Sequence, residues 1–182
     1  MVKFSVLSFT ATFMILACSG SGNGSSGNME DIIETAFPKT SNSGRILSID
    51  DLKTVGFKVR KQYKEVDFLP PLNESWHGMF NKMDYEIRFY SSHEDASGQG
   101  VVDAEIVTGK DGIVTGDVPW EDGAKDRRRC SRPPGQPHSG CNYTSKYGDF
   151  VIYENVIAMC EGKDKLESRE TCSSLLSLLS TP

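Results

Sequence analysis

The sequence predicts an α+β domain in which helices pack on one face of an antiparallel sheet and a long loop is closed by a disulfide. Short apolar segments are separated by turns and irregular stretches, which favours strands joined by hairpins and long loops. Three segments begin with helix-capping residues, and the last of them leads into the apolar C-terminal stretch. A long region, residues 110–145, is broken by Gly, Pro and acidic residues and has little periodicity.

The helices are predicted from capping residues followed by acidic ones. Ser48 can accept a hydrogen bond from a backbone amide of the first turn, and Gly56 can end that helix in a left-handed conformation. Ser92 and Asp164 begin two further helices in the same way. A shorter helix is expected at residues 29–37, before a proline. The last helix is expected to bury four residues: Cys172, Leu175, Leu176 and Leu179.

Residues 84–90 give the clearest strand pattern. Apolar residues at 85, 87 and 89 alternate with charged residues at 84, 86 and 88, which predicts one buried face and one solvated face. Residues 57–69 are also expected to be extended, and a change in the parity of their apolar residues predicts a bulge or two short strands. Residues 147–160 predict a hairpin that turns at Glu154 and Asn155.

The N-terminal 17 residues carry one positive charge, at Lys3, and then an apolar stretch too short to span a membrane, which needs roughly 20 residues. This pattern is typical of a secretory signal peptide. The sequence Ile15-Leu16-Ala17-Cys18 resembles the lipobox of bacterial lipoproteins. The resemblance implies that Cys18 is diacylated and becomes the mature N-terminus, anchored in the cell membrane or the outer membrane. Secretion with an ordinary signal peptide is the alternative.

The segment after Cys18 supports a tether, because residues 19–28 contain only Ser, Gly and Asn. A flexible coil of ~10 residues spans roughly 17 Å. Removal of residues 1–17 leaves 182 − 17 = 165 residues, of which residues 29–182 are expected to form one domain after a linker at 18–28. The net charge of −5 argues against nucleic acid as a partner and against general adhesion to anionic lipid.

The cysteines predict two disulfides. With Cys18 assigned to the lipid, four of the five remain, an even set in an oxidising compartment with three connectivities to choose from. We favour Cys130 with Cys141, which would close a Pro-rich loop and contribute on the order of 3 kcal/mol. The other pair, Cys160 with Cys172, would join a strand to the helix after it. A zinc site is the alternative, but no pair has the close spacing of a zinc knuckle.

No catalytic motif, cofactor motif or metal site is indicated. The chain has no Gly-rich phosphate loop, no Gly-x-Ser-x-Gly and no His-Glu-x-x-His. The histidines at 77, 93 and 138 are far apart and share no metal-ligand spacing. An enzyme would have to assemble its site from separated residues such as His77, His93 and Asp95, and Asp95 is already explained by the start of a helix.

Four arginines form a strongly basic cluster in this acidic chain: Arg127, Arg128, Arg129 and Arg132. They flank Cys130, at the base of the predicted disulfide loop, where guanidinium groups can bind a carboxylate, a phosphate or a sulfated sugar. The alternative is ion pairing with the acids at 121, 122 and 126. Trp76 and Trp120 lie in loop-like regions and can either stack on a ligand or cap the edge of the core.

The sequence therefore favours a membrane-anchored extracytoplasmic lipoprotein that acts as a non-enzymatic binding or accessory module. Its loop would contact an envelope protein or an anionic glycan. Two alternatives stay open, an extracytoplasmic hydrolase and a structural envelope lipoprotein. An enzyme would need a polar pocket in which acids or histidines converge, whereas a binding module would expose arginine and aromatic side chains without one.

Overall fold

A computed structural model of the chain describes residues 28–64, 66, 69, 71–118, 121–129 and 143–180. Within these residues the α+β class with a mostly antiparallel sheet is confirmed. The strands are β1 (Thr40–Ser41), β2 (Lys58–Tyr63), β3 (Leu72–Phe80), β4 (Met83–Tyr90), β5 (Tyr147–Tyr153) and β6 (Val156–Glu161). In the described part of the chain these six strands form one sheet in the order β1-β5-β6-β4-β3-β2, in which only the β1–β5 pair is parallel.

The helices are α1 (Met29–Ala36), α2 (Ile49–Thr54), α3 (His93–Asp95), α4 (Val101–Glu105), α5 (Ala124–Arg127) and α6 (Lys165–Leu176), and the 3₁₀ turn Ser177–Ser180 follows α6. Helices α2, α3 and α6 begin at the capping residues that the sequence predicted, whereas α5 was not predicted. In α2 the Asp51 carboxylate accepts hydrogen bonds from the backbone amide and the hydroxyl of Ser48, and in α3 the Ser92 hydroxyl accepts from the amide of Asp95. A π-helical turn, Ala96–Gly100, joins α3 to α4.

The two faces of the sheet carry separate apolar clusters. On one, which we call the α6 face, α2 and α6 cover Tyr85 and Ile87 of β4. On the other, the loop face, the π-helical turn and α4 cover Ile157 and Met159 of β6. Alternate residues of a strand point to opposite faces, so β4 and β6 are covered on both sides. Helices α2 and α6 therefore cover one face of the sheet, as predicted. The shorter segment of the π-helical turn and α4 covers the second face as well.

The hairpin of β5 and β6 and the final helix are where the sequence placed them. Asp164 caps α6 by accepting a hydrogen bond from the Glu167 amide at 3.0 Å. The disulfide between Cys160 and Cys172 is confirmed, and it joins β6 to α6 within the core of the α6 face. It therefore fixes the longest helix to the middle of the sheet.

Strand β3 was not predicted. It runs through Trp76, which the sequence analysis placed in a loop and which pairs instead with Ile87 of β4. The two-residue turn to β4 has Asn81 and Lys82 at φ of +48° and +69°, the conformation of tight hairpin turns. Strand β2 has a register shift between Val59 and Lys61, whereas the predicted change of parity falls after Tyr63, where β2 ends.

The predicted solvated face of β4 is wrong. Glu86 and Arg88 are both 0% exposed, although they alternate with the apolar residues as expected. The alternating pattern correctly predicted a strand. It did not predict the burial of the charged side, because β4 is a central strand whose loop face is covered by residues 121–129 and 143–147. This buried polar side is the starting point for a candidate site.

Candidate functional site

A glutamate and two arginines form a buried ionic network on the loop face, which we call the Glu86 network. Arg127 donates from Nε to Glu86 Oε2 at 2.7 Å and from Nη2 to Oε1 at 3.0 Å. Arg88, two residues along β4, donates from Nε to Oε1 at 2.9 Å. This near-parallel pairing of a guanidinium with a carboxylate is among the stronger polar contacts in proteins.

The charge of Glu86 is maintained by its neighbours. Burial by itself would raise the pKa of Glu86, but the guanidinium groups of Arg127 and Arg88 more than offset this effect and hold it below its ordinary value. Burial raises the pKa of the adjacent Tyr63 and Tyr147, so both phenols are neutral. Glu86 is therefore an ionised, fully engaged carboxylate rather than a proton donor or acceptor poised near neutral pH.

The segment before α5 is shaped to bring Arg127 to this position. Arg127 Nη1 donates to the carbonyl of Asp122 at 3.2 Å, and its guanidinium lies 5.4 Å from the centre of the Tyr63 ring. Gly123, the residue after Asp122, has a φ of +85°. A Cβ there would come within 2.8 Å of both Arg127 Nη2 and the Tyr63 ring. Only glycine therefore fits this position without displacing the arginine.

Arg127 also begins the base of the long loop. Its carbonyl accepts from the amide of Lys146 at 2.8 Å, and the amide of Arg129 donates to the carbonyl of Thr144 at 3.0 Å. Arg128 and Ser145 form an antiparallel bridge between these bonds. Residues 127–129 and 144–146, which we call the loop base, thus hold together the two ends of residues 130–142. The Glu86 network ties this base to the sheet.

The other arginines of the predicted cluster have different surroundings. Arg128 Nε donates to the carbonyl of Val114 at 2.6 Å, and Arg129 Nη2 donates to the carbonyl of Gly162 at 2.8 Å. Arg129 is exposed, whereas Arg127 is buried. Four predicted site residues lie outside the described residues, together with the lipidation site Cys18: Trp120, Cys130, Arg132 and Cys141.

Neither sequence interpretation of the cluster describes Arg127. It is too deeply buried to clamp an external anion, and its carboxylate partner is Glu86, 41 residues away, rather than a neighbouring acid. Asp122 accepts from Arg127 through its carbonyl, while its carboxylate accepts from Lys61 Nζ at 2.6 Å and from the amide of Lys64 at 2.8 Å. Trp76 packs against the apolar cluster of the α6 face and therefore does not share a site with Arg127.

The residues of the enzyme hypothesis are not brought together. His77 of β3 lies beside the start of β4, with Nε2 3.7 Å from Asp84 Oδ1. His93 follows the other end of β4, where Nδ1 contacts the carbonyl of Glu154 at 2.6 Å. The His77 imidazole and the Lys146 ammonium, 2.6 Å from Oδ2, hold the pKa of Asp84 well below its ordinary range. Asp84 is therefore occupied as an ion-pair partner.

Two further properties concern the described part of the chain. No three of its histidine, cysteine or acidic side chains lie close enough to share a metal ion. None of its helices is both long and apolar enough to cross a membrane.

Comparison with known proteins shows a family match over most of the domain. Residues 48–181 match a family model described as a family of unknown function, DUF6810. No curated protein and no solved structure matches the chain. The family match includes the Glu86 network, the loop base and the Cys160–Cys172 disulfide, and it begins after α1 and β1.

Proposed function

The chain belongs to the family DUF6810, and we propose that it is an exported, lipid-anchored binding module without catalytic activity of its own. The observation that carries the proposal is the loop base, which the Glu86 network fixes to the sheet. Binding residues in proteins are often carried by loops that a rigid scaffold positions. A loop whose ends are already fixed loses less conformational entropy when it binds.

The contact region of this proposal is residues 129–142. It begins at Arg129, contains Arg132 and is closed, in the proposal, by a disulfide between Cys130 and Cys141. Non-reducing peptide mapping is expected to find these two cysteines linked to each other, and a crossed pair would refute this connectivity. The arginines favour an anionic partner in the envelope, either an acidic protein surface or an anionic glycan.

Binding is tested on arrays of acidic glycans and envelope proteins, read at low and at physiological salt. We expect binding to weaken as salt rises, because exposed charges are screened over ~8 Å at physiological ionic strength. Arg129→Gln with Arg132→Gln should abolish binding. Lys58→Gln with Lys64→Gln is the matched control, because it removes the same charge from exposed positions far from this region in the sequence. Equal loss in both double variants would show general electrostatic adhesion instead of a site.

The anchor is tested separately. Cys18→Ser should move the protein from the membrane fraction to the soluble exported fraction, and intact mass should show acyl groups on the wild type only. A protein that stays in the membrane fraction without its cysteine, or a wild type without acyl groups, would leave plain secretion as the better description.

The alternatives are less well supported. A hydrolase needs a carboxylate or histidine that is free to exchange protons, whereas Glu86 and Asp84 are both held by cationic side chains. A purely structural role in the envelope does not require a loop base that is tied to a buried ionic network. If neither the arginine double variant nor the lysine double variant changes binding to any component of the arrays, the structural alternative is favoured.

A further inference from the structure

A groove on the α6 face differs in character from the loop base. It has a volume of about 190 Å³ and lies between the segment after α1, strand β5 beside the edge strand β1, and helix α6. Its apolar wall includes Phe37, Val151, Tyr153 and Leu176. Its polar lining consists of serines and Arg169, and no acidic residue lines it.

Arg169 is held in one orientation beside this groove. Nε donates to Asp149 Oδ2 at 2.6 Å, and Nη1 donates to Glu34 Oε2 at 2.6 Å and to the carbonyl of Phe37 at 3.3 Å. Nη2 makes no hydrogen bond to any residue that the structure describes. The side chain is 7% exposed, so this remaining amino group is a fixed donor at a largely apolar surface.

We propose that the groove binds a small carboxylic acid with an apolar group of about six to eight carbons. A cavity of about 150 Å³ lined by apolar side chains accommodates benzene, so 190 Å³ suits a ring or a short alkyl chain. The carboxylate accepts a hydrogen bond from Arg169 Nη2, and the apolar group packs between Phe37 and Leu176. Ser173 lies on α6 between Arg169 and Leu176, which also line the groove, and its hydroxyl is a second donor for the carboxylate.

The ligand would contact two parts of the chain at once. Phe37 belongs to the segment that precedes the family match, whereas Arg169 and Leu176 belong to the matched domain. The segment is otherwise docked by the buried Ile33 and by ion pairs such as Glu34 with Arg169. A bound acid therefore stabilises the docking of the segment that leads from the linker.

The test is a calorimetric titration of the full-length mature protein with octanoate, hexanoate and octanol. We expect octanoate to bind at one site, and hexanoate to bind about 15-fold more weakly, since each buried methylene is worth about fourfold. Octanol lacks the charged acceptor and should bind at least about tenfold more weakly. Equal affinity for octanoate and octanol, or no binding of octanoate, would overturn the proposal.

A variant locates the site. Ser173→Phe places a ring in the groove and should reduce octanoate affinity at least about tenfold. Glu170→Phe is the matched control, because residue 170 is exposed on the same helix and does not line the groove. Circular dichroism and thermal unfolding confirm that both variants fold. If the Ser173 variant folds and binds octanoate as the wild type does, the acid binds elsewhere and the proposal is wrong.

Discussion

Replacement of Arg127 by methionine tests whether the Glu86 network supports the fold. Methionine keeps much of the length and the apolar stem but removes all of the donors. The wild-type arginine makes two hydrogen bonds to Glu86 and one to the carbonyl of Asp122. In the variant the Glu86 carboxylate stays buried, with Arg88 as its remaining described ionic partner.

The expected loss is about 3–5 kcal/mol in the free energy of unfolding, the usual effect of removing one partner of a buried ion pair. For a domain of this size, each kcal/mol corresponds to about 2–4 °C, so even the lower value should reduce Tm by about 6–12 °C. Total stabilities are about 5–15 kcal/mol, so a loss of this size removes a large fraction of the total if the wild type lies at the lower end of that range.

Urea unfolding, followed by circular dichroism, measures this change. Arg60→Met is the matched control, because the Arg60 side chain is 53% exposed and lies 3.9 Å from Asp84, a pair worth about 0–1 kcal/mol. Combining Arg127→Met with Glu86→Gln should show a coupling of about 2 kcal/mol. If Arg127→Met loses no more stability than Arg60→Met, the buried pair does not hold the loop base to the sheet.

Three further predictions concern stability. The pKa values of Glu86 and Asp84 are lowered by folding, so their contribution is complete above the unfolded pKa near ~4 and is lost as pH falls through the folded value. Unfolding free energies measured between pH 8 and 2 should decline below about pH 4, and a decline centred above about pH 6 would contradict this. Replacing Cys160 and Cys172 by alanine should cost about 2–5 kcal/mol in urea unfolding, and an unchanged midpoint would refute a stabilising role. Gly148→Ala should cost about 1–3 kcal/mol, because its Cβ would lie 2.3 Å from a backbone carbonyl oxygen, and wild-type stability would show that the strand can shift.

The features that the sequence predicted are local. Helix starts at Ser48, Ser92 and Asp164, and the hairpin that turns at Glu154, depend on residues within a few positions of each other. The Cys160–Cys172 disulfide spans 12 residues and connects consecutive elements, so its pairing followed from element order. Local hydrogen-bonding chemistry is sufficient for such predictions.

The features that it missed depend on distant parts of the chain. Strand β3 buries Ser75 and His77 on the loop face, so its pattern lacks the apolar alternation by which strands are recognised. Glu86 looked solvent-exposed because the residue that covers and neutralises it, Arg127, is 41 positions away. A buried ion pair has the sequence pattern of an exposed one, and only the tertiary arrangement distinguishes them.

The most direct test of the central claim is native-state hydrogen exchange at the loop base, measured by NMR. The amides of Arg129 and Lys146 donate to the carbonyls of Thr144 and Arg127 at 3.0 and 2.8 Å. If the loop base is part of the sheet's cooperative unit, these amides should be protected to within about tenfold of those in the central strand β6. Exchange at the rate of an unstructured chain would contradict the claim, and with it the basis for proposing that residues 129–142 bind a partner.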